Sequence, residues 1–335
     1  MGDQNPMQQD TPTDGGDWPE LPHEAWAETA AALHLWTQVV GKVRLAQTPW
    51  TNHSWHVPLY VTARGLTTSP IPHTGGVFEL SFDFLDHELR VQTARGQSRT
   101  VPLRAQSVAG FYAEVMGQME ALGVGVSVST MPCEIKDAAP FDEDHGERPY
   151  DRAYVQRFWR ALVEADRVLK AFRARFTGKC SPVHFFWGSF DLAVTRFSGR
   201  DAPPHPGGMP HVADWVAREA YSEEVSSAGF WPGGDGSDAV FYSYAYPTPD
   251  GFKEAAVRPG EASWSDGLGE FVLPYAAVRA AASPDGALME FLQSTYEAAA
   301  GRADWDRERL ERVLPPAGEG VDHAHLTGNR PRRGA

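Results

Sequence analysis

The sequence predicts an α+β protein built from two similar halves, each a mainly antiparallel sheet with flanking helices. Segments with strand-like, period-two alternation follow one another between residues 41 and 135. Amphipathic helix patterns border them at 22–38, 107–123 and 151–177. The order helix, Gly-Lys, histidine, strand, Val-Thr occurs in both halves, which predicts an internal duplication. The alternative is chance, because helix-then-sheet order also recurs in unrelated α+β proteins.

The first half begins with a helix over 22–38, where Pro22 suits the first turn and apolar residues fall on one face. Strands are predicted within GKVRLAQTP, WHVPLYVTARG, VFELSFDF and HELRVQTARG. VFELSFDF alternates apolar and polar side chains, as expected for a half-solvated antiparallel strand. The helix over 107–123 ends at Gly123, a typical C-terminal glycine, and GVSVSTMPCEI is predicted to form another strand.

The second half begins with the clearest helix, 151–177, whose apolar residues repeat at intervals of three and four. The segment HFFWGSFDLAVTRFSGR follows as a strand, and then come a Pro/Gly-rich loop and a short helix near 212–221. SSAGFW, AVFYSYAY and FVLPY are predicted strands. Helices over 284–300 and about 303–314 complete the half. Pro284 suits the first turn of the earlier helix.

The domain boundaries follow from changes in composition. Residues 1–17 and 316–335 lack periodicity and are predicted to be disordered tails. The ordered chain divides into a first half at 18–135, an acidic connection at 136–150 and a second half at 151–315.

Charge and composition restrict the compartment and the partners. The chain has 335 residues, a net charge of -14 and no cluster of lysine and arginine, so we expect no nucleic-acid partner. Residues 1–17 lack the features of a signal peptide, and no apolar run is long enough to cross a bilayer. These features predict a cytoplasmic protein that does not bind membranes and keeps Cys133 and Cys180 reduced. They do not predict the oligomeric state.

The segment HFFWGSFDLAVTRFSGR combines apolar residues with polar ones at fixed positions. Regular alternation would place His184 and Arg196 on one face and Asp191 on the other, unless a bulge at Gly188 shifts the register. One interpretation is a central strand whose Asp191 and Arg196 are hydrogen-bonded structurally. The other is a strand that lines a pocket for a small molecule, with aromatic walls and a few polar groups.

The candidate functional residues are those whose chemistry suits such a pocket at the seam between the halves. Histidine is the usual proton shuttle at neutral pH, and a carboxylate can fix its tautomer. Arginines can hold an anionic group, and aromatic rings can form walls. The predicted catalytic residues are His56, His184, Glu219 and Glu224, and the predicted substrate-binding residues are Arg64, Trp187, Arg196, Tyr221 and Trp231.

Three functions are compatible with these residues. The first is a cytoplasmic enzyme that acts on a small polar or anionic molecule. The second is a non-catalytic protein that binds a small molecule or a metal, since a divalent metal on His53, His56 and His184 is an alternative use of the histidines. The third is a protein-interaction module, which would expose a contiguous apolar patch. The sequence does not identify a cofactor.

Several long motifs resemble a bacterial family that is known as a domain of unknown function. They are WPELP, the GK-x-R-L element, HVPLYVTARGLTTSPIP, GKCSPVHFFWGSFDLAVTRFSG and EVSSAGFWPG. The resemblance covers roughly residues 18–300. It implies that the two halves form a single unit, and it implies no particular activity or catalytic residue.

Overall fold

The computed structural model describes residues 18–234 and 236–312. These residues form seven α-helices and two six-stranded antiparallel sheets, which confirms the predicted α+β class with a sheet in each half. The predicted tails at 1–17 and 316–335 lie outside the described residues.

The first half consists of one sheet and two helices, one before and one after the strands in the sequence. Its elements are α1 (Ala27–Gln47), β1 (Tyr60–Val61), β2 (Gly65–Thr67), β3 (Ile71–His73), β4 (Gly76–Asp83), β5 (Glu88–Thr93), β6 (Ser98–Pro102) and α2 (Val108–Ala121). The strand order is β1-β2-β4-β5-β6, and β3 also pairs with β4. The predicted alternation in β4 is confirmed, because Phe78, Leu80 and Phe82 are buried while Glu79 and Ser81 are half-buried.

Helix α1 continues through the segment GKVRLAQTP, so the strand predicted there is wrong. Its β-branched valines favour a strand locally, but almost every residue from Thr29 to Arg44 is buried on all sides of the helix. The buried Arg44 guanidinium donates from Nε to the carbonyl oxygen of His56 at 2.8 Å. Tertiary burial therefore outweighs local propensity.

Gly41 lies where α1 meets the indole of Trp187. A Cβ atom at residue 41 would lie 2.3 Å from Trp187 Nε1, which itself donates to the carbonyl oxygen of Val57 at 2.9 Å. A glycine at this position thus allows the helix and the indole to touch.

We expect Gly41→Ala to lower the free energy of unfolding by about 1–3 kcal/mol, because the added methyl group must displace Trp187. Gly117 is the matched control, since it lies in α2 and a Cβ atom there would meet no described atom within 4 Å apart from its chain neighbours and the helix's own backbone. Gly117→Ala should stabilise the protein by up to about 1 kcal/mol. Urea titrations of both variants measure the difference, and equal effects would contradict the proposed contact.

The second half has its own sheet, covered on one face by helices. Its elements are α3 (Arg152–Ala174), β7 (His184–Phe186), β8 (Asp191–Asp201), α4 (Asp214–Ala220), β9 (Glu223–Trp231), β10 (Val240–Tyr246), β11 (Ser263–Ser265), β12 (Glu270–Pro274), α5 (Tyr275–Ala280), α6 (Pro284–Arg302) and α7 (Arg307–Leu310). The strand order is β11-β12-β10-β9-β8-β7.

The segment predicted as a single strand is a hairpin of β7 and β8 with a turn at 187–190. His184 pairs with Ala193, and Phe186 pairs with Asp191. Directly paired residues lie on one face of a sheet, so the turn places His184 and Asp191 together. Regular alternation through the whole segment is therefore wrong, and the turn contains Gly188.

The two sheets meet edge to edge. Leu59, just before β1, exchanges two backbone hydrogen bonds with Phe185 in β7, each 2.8 Å long. The Gly-Lys pairs, however, occupy different settings: Gly41-Lys42 lies inside α1, whereas Gly178-Lys179 follows the end of α3. The internal duplication stays a prediction, and this pair of motifs does not support it.

The strand predicted at GVSVSTMPCEI is also wrong, because residues 124–135 form no helix or strand. The side-chain amide of Gln38 bonds both the N–H and the carbonyl oxygen of Cys133, at 2.8 and 2.9 Å. A side chain thus takes the role of a neighbouring strand and fixes this loop against α1. None of the helices in the described ranges has an apolar stretch of membrane-spanning length.

Candidate functional site

A cavity of about 530 Å³ lies between the two halves. The first half contributes α1, the loop around 50–57 and the loop around 129–134. The second half contributes one face of its sheet and the segment around 209–221. This volume suits a small organic molecule.

The sheet forms the floor of the cavity through a polar face that crosses three strands. Asp191 lies on β8, Gly229 on β9 and Tyr242 on β10. Gly229 and Tyr242 are directly opposite each other in the β9–β10 pair. A Cβ atom at residue 229 would lie 2.4 Å from the Tyr242 hydroxyl oxygen. The absence of a side chain at Gly229 therefore lets the Tyr242 ring cross β9 and reach Asp191.

Asp191 is a buried carboxylate whose hydrogen-bond partners are neutral hydroxyl groups. Ser189 Oγ donates to Oδ1, and the Tyr242 hydroxyl donates to Oδ2. Burial raises the pKa of Asp191, and the two hydroxyl donors oppose that rise. Nearby, the hydroxyl groups of Tyr221 and Tyr244 are hydrogen-bonded to each other at 2.8 Å.

Glu134 faces the same cavity from the loop of the first half. Its backbone is left-handed, with φ at 63°, and its N–H donates to the carbonyl oxygen of Pro210 at 2.8 Å. Its side chain is open to the cavity and lies over Gly188, where a Cβ atom would be 2.2 Å from Oε1. Enclosure by the protein, followed by the negative charge of Asp191, raises the pKa of Glu134 to about 7.

Aromatic side chains form a large part of the cavity walls. The aromatic side chains that line it are Trp50, Trp55, Phe186, Trp187, Phe197, Trp215, Tyr221, Tyr242 and Tyr244. Trp50 and Trp215 are 44% and 54% exposed, which marks the open side of the cavity.

Residues 18–312 match the sequence model of a family described as a family of unknown function, DUF5996. The chain belongs to this family. Comparisons with curated proteins and with solved structures gave no match. The match to DUF5996 covers both halves, so the residues that enclose the cavity all lie within the family region.

Three of the residues predicted from the sequence line the cavity of this DUF5996 chain: His184, Trp187 and Tyr221. His184 is fully buried, and within residues 18–234 and 236–312 neither ring nitrogen has a hydrogen-bond partner. Burial, followed by the positive charges of Arg44 and Arg173, lowers the pKa of His184 to about 3. The imidazole is therefore neutral at physiological pH.

Two more predicted residues support the wall from behind. Glu219 accepts a hydrogen bond from Trp50 Nε1 at 2.9 Å, and the ring of His56 lies 4.3 Å from that of Trp50. His56 is buried, and burial lowers its pKa. Both residues touch the back of Trp50, and neither lines the cavity.

The remaining predicted residues lie elsewhere. Arg64 is paired with Asp83 and Asp86 on the first sheet. Glu224 is paired with Arg200 at 2.7 Å, and Trp231 packs against Gly234.

Arg196 is on the face of β8 that points away from the cavity, because the residue beside it, Thr195, takes the cavity face. Its guanidinium carbon lies 3.5 Å from the ring centroid of Phe172 and 4.3 Å from that of Tyr296. The prediction that Arg196 and Arg64 hold an anion in this pocket is corrected by these positions.

The histidines do not converge on a common point. Lys179 Nζ lies 2.6 Å from His53 Nε2, and His53 Nδ1 lies 3.0 Å from the carbonyl oxygen of Ala220. A lysine ammonium only donates, so Nε2 accepts and Nδ1 carries the proton. Within residues 18–234 and 236–312, no three His, Cys, Asp or Glu side chains are grouped as metal ligands.

The sequence did not single out Glu134, Ser189, Tyr242 and Tyr244. Asp191 gave a signal, because it is the only acid in the apolar segment HFFWGSFDLAVTRFSGR, and the alternation of Tyr242 and Tyr244 in β10 is a second signal. No local pattern identifies Glu134, since a loop of the other half brings it to the sheet.

Proposed function

We propose that the protein binds a small organic molecule that carries a positive charge, with the charged group at Asp191 and Glu134. The observation that carries this proposal is the pairing of two carboxylates with an aromatic wall. In the described ranges, no lysine, arginine or histidine forms an ion pair with either carboxylate. An ammonium group would supply the missing counter-charge, and aromatic faces attract cations.

The positively charged side chains near the cavity fit the same proposal. Lys42 lines the cavity, but its Nζ lies toward Phe141, 6.0 Å from the ring centroid. Lys179 is neutralised by Glu223. The unpaired thiols Cys133 and Cys180 support a reducing compartment, so we also propose that the protein is cytoplasmic.

We expect phenethylamine to bind and to raise the melting temperature, whereas 2-phenylethanol and 3-phenylpropanoate should have little effect. Asp191→Asn should weaken phenethylamine binding about ten- to a hundredfold, because it removes a charged hydrogen-bond acceptor. Affinity should increase between pH 6 and pH 8, as Glu134 becomes ionised. Calorimetric titration measures the affinities of the ligands, of the variant and at each pH, and a thermal melt measures the shift in melting temperature. Tighter binding of the carboxylate than of the amine would contradict the proposal.

Cys133 provides a reporter within the cavity, because its half-buried thiol belongs to the lining. In the Cys180→Ser variant, phenethylamine should slow alkylation of Cys133 by iodoacetamide, since the ligand covers the thiol. The matched variant Cys133→Ser leaves Cys180, which is not part of the lining, and its alkylation should not respond. Equal protection of both thiols would indicate a general stabilisation and would contradict occupancy of the cavity.

Acid–base catalysis is a second candidate function, supported by the pKa of about 7 at Glu134 beside the more buried Asp191. A carboxyl group that titrates near neutral pH can both give and take a proton. Incubation of the protein with a metabolite extract tests this candidate. A compound should be consumed by the natural protein and not by Glu134→Gln, and consumption at equal rates would exclude a catalytic role for Glu134.

A further inference from the structure

Two tryptophans at the mouth of the cavity are unusually open to solvent. Trp50 is 44% exposed and Trp215 is 54% exposed, and their ring centroids are 4.7 Å apart. Trp50 comes from the loop after α1, and Trp215 comes from α4 in the other half. Both side chains also line the cavity, so they form a continuous apolar surface with its interior.

The orientation of Trp50 is fixed by its neighbours. Its indole N–H donates to both carboxylate oxygens of Glu219 at 2.9 Å, and His56 packs against it at 4.3 Å between centroids. Glu219 is on α4, so the same helix holds Trp50 and presents Trp215. An exposed ring that is held in place needs no further ordering when it binds a partner.

We propose that Trp50 and Trp215 form a mouth subsite for a flat apolar group of the same molecule whose charge lies at Asp191. The ligand class is then an amphipathic amine, with a cationic end in the cavity and an aromatic group against the two indoles. This inference rests on the proposed function. It adds a second recognition point and requires the ligand to have a minimum length.

The size of the patch favours a small molecule over a protein partner. A specific protein interface buries roughly 800 Å² on each side. Among the residues that the structure describes, the other large exposed apolar side chains are Val77, Leu85 and Leu268, and they do not line the cavity. Two indoles that continue into a cavity suit one aromatic group, since offset or tilted stacking needs only one or two rings.

The test uses phenylalkylamines with one to six methylene groups and the matching alkylamines without the phenyl ring. The phenyl ring should increase affinity most at one chain length, which is the length that spans from floor to mouth. Trp215→Ala should reduce that increase about tenfold and should lower the affinity of the alkylamines by a clearly smaller factor. Leu268→Ala is the control, because it removes an exposed apolar side chain that does not line the cavity.

Glu219→Ala provides a second variant in which both indoles remain. As a positioning residue for Trp50, Glu219 should affect only the phenyl-dependent part of the affinity. If Asp191→Asn weakens amine binding but Trp215→Ala leaves the phenyl-dependent affinity unchanged, the mouth subsite is overturned and the proposed function stands. Failure of every amine to bind would overturn both. Self-association that Trp215→Ala abolishes would identify the patch as a protein contact and would also overturn the subsite.

Discussion

Arg196→Ala is expected to lower the free energy of unfolding by about 3–5 kcal/mol, the size typical for truncating a large, fully buried side chain. The guanidinium is 1% exposed and lies against the rings of Phe172 and Tyr296. Its Nη2 donates to the carbonyl oxygen of Phe172, in the last turn of α3. Alanine would remove the stacking and this hydrogen bond, and it would leave a space among the rings.

Arg196→Met separates packing from charge. Methionine fills much of the same space without a charge to bury, so its loss of stability should be well below that of alanine. Burial already lowers the pKa of Arg196 to about 10, which shows that the site disfavours the charge. Chemical denaturation measures the stabilities of the variants. Arg196→Met should bind phenethylamine with the same affinity as the natural protein. If the natural protein bound 3-phenylpropanoate and a stable Arg196→Met did not, Arg196 would be an anion anchor, which would contradict its structural role.

The elements that could be predicted from the sequence are those whose periodicity matches their burial. Helix α3 carries an apolar stripe along one side, and β4 has one buried face. The end of α1 could not be predicted in this way, because a helix that is buried on all sides has no stripe. Residues 124–135 alternate like a strand but obtain their partners from the side chain of Gln38, which depends on tertiary structure.

The candidate site could be located from the sequence only in part. The polar groups in an apolar strand directed attention to the segment that contains His184 and Trp187, because such groups require partners, and both residues line the cavity. The sequence could not show which face of the sheet each residue takes. After the hairpin turn, odd-numbered residues of β8 lie on the same face as even-numbered residues of β7. Arg196 was therefore assigned to the pocket, whereas Asp191 and Tyr242 face it.

His184→Leu should make the protein more resistant to acid. The pKa of His184 is about 3 in the folded protein, below the ordinary value of 6.5, because burial disfavours the charged ring. Between these two pH values the unfolded chain binds the additional proton. Stability is thus fully present above pH 6.5 and is lost as the pH falls toward 3, by up to about 1.4 kcal/mol per pH unit. Leucine removes this loss and has a similar size.

At pH 7 the same variant should be as stable as the natural protein or more stable, because both ring nitrogens are buried without a hydrogen-bond partner among the residues that the structure describes. Urea titrations between pH 7 and pH 4 give the slope of stability against pH. The slope should decrease in His184→Leu and stay unchanged in His145→Gln, whose ring is exposed. His34 also has a lowered pKa, about 4, so part of the acid sensitivity should remain. An unchanged slope in His184→Leu, or a loss of several kcal/mol at pH 7, would show that this imidazole is hydrogen-bonded in the folded protein.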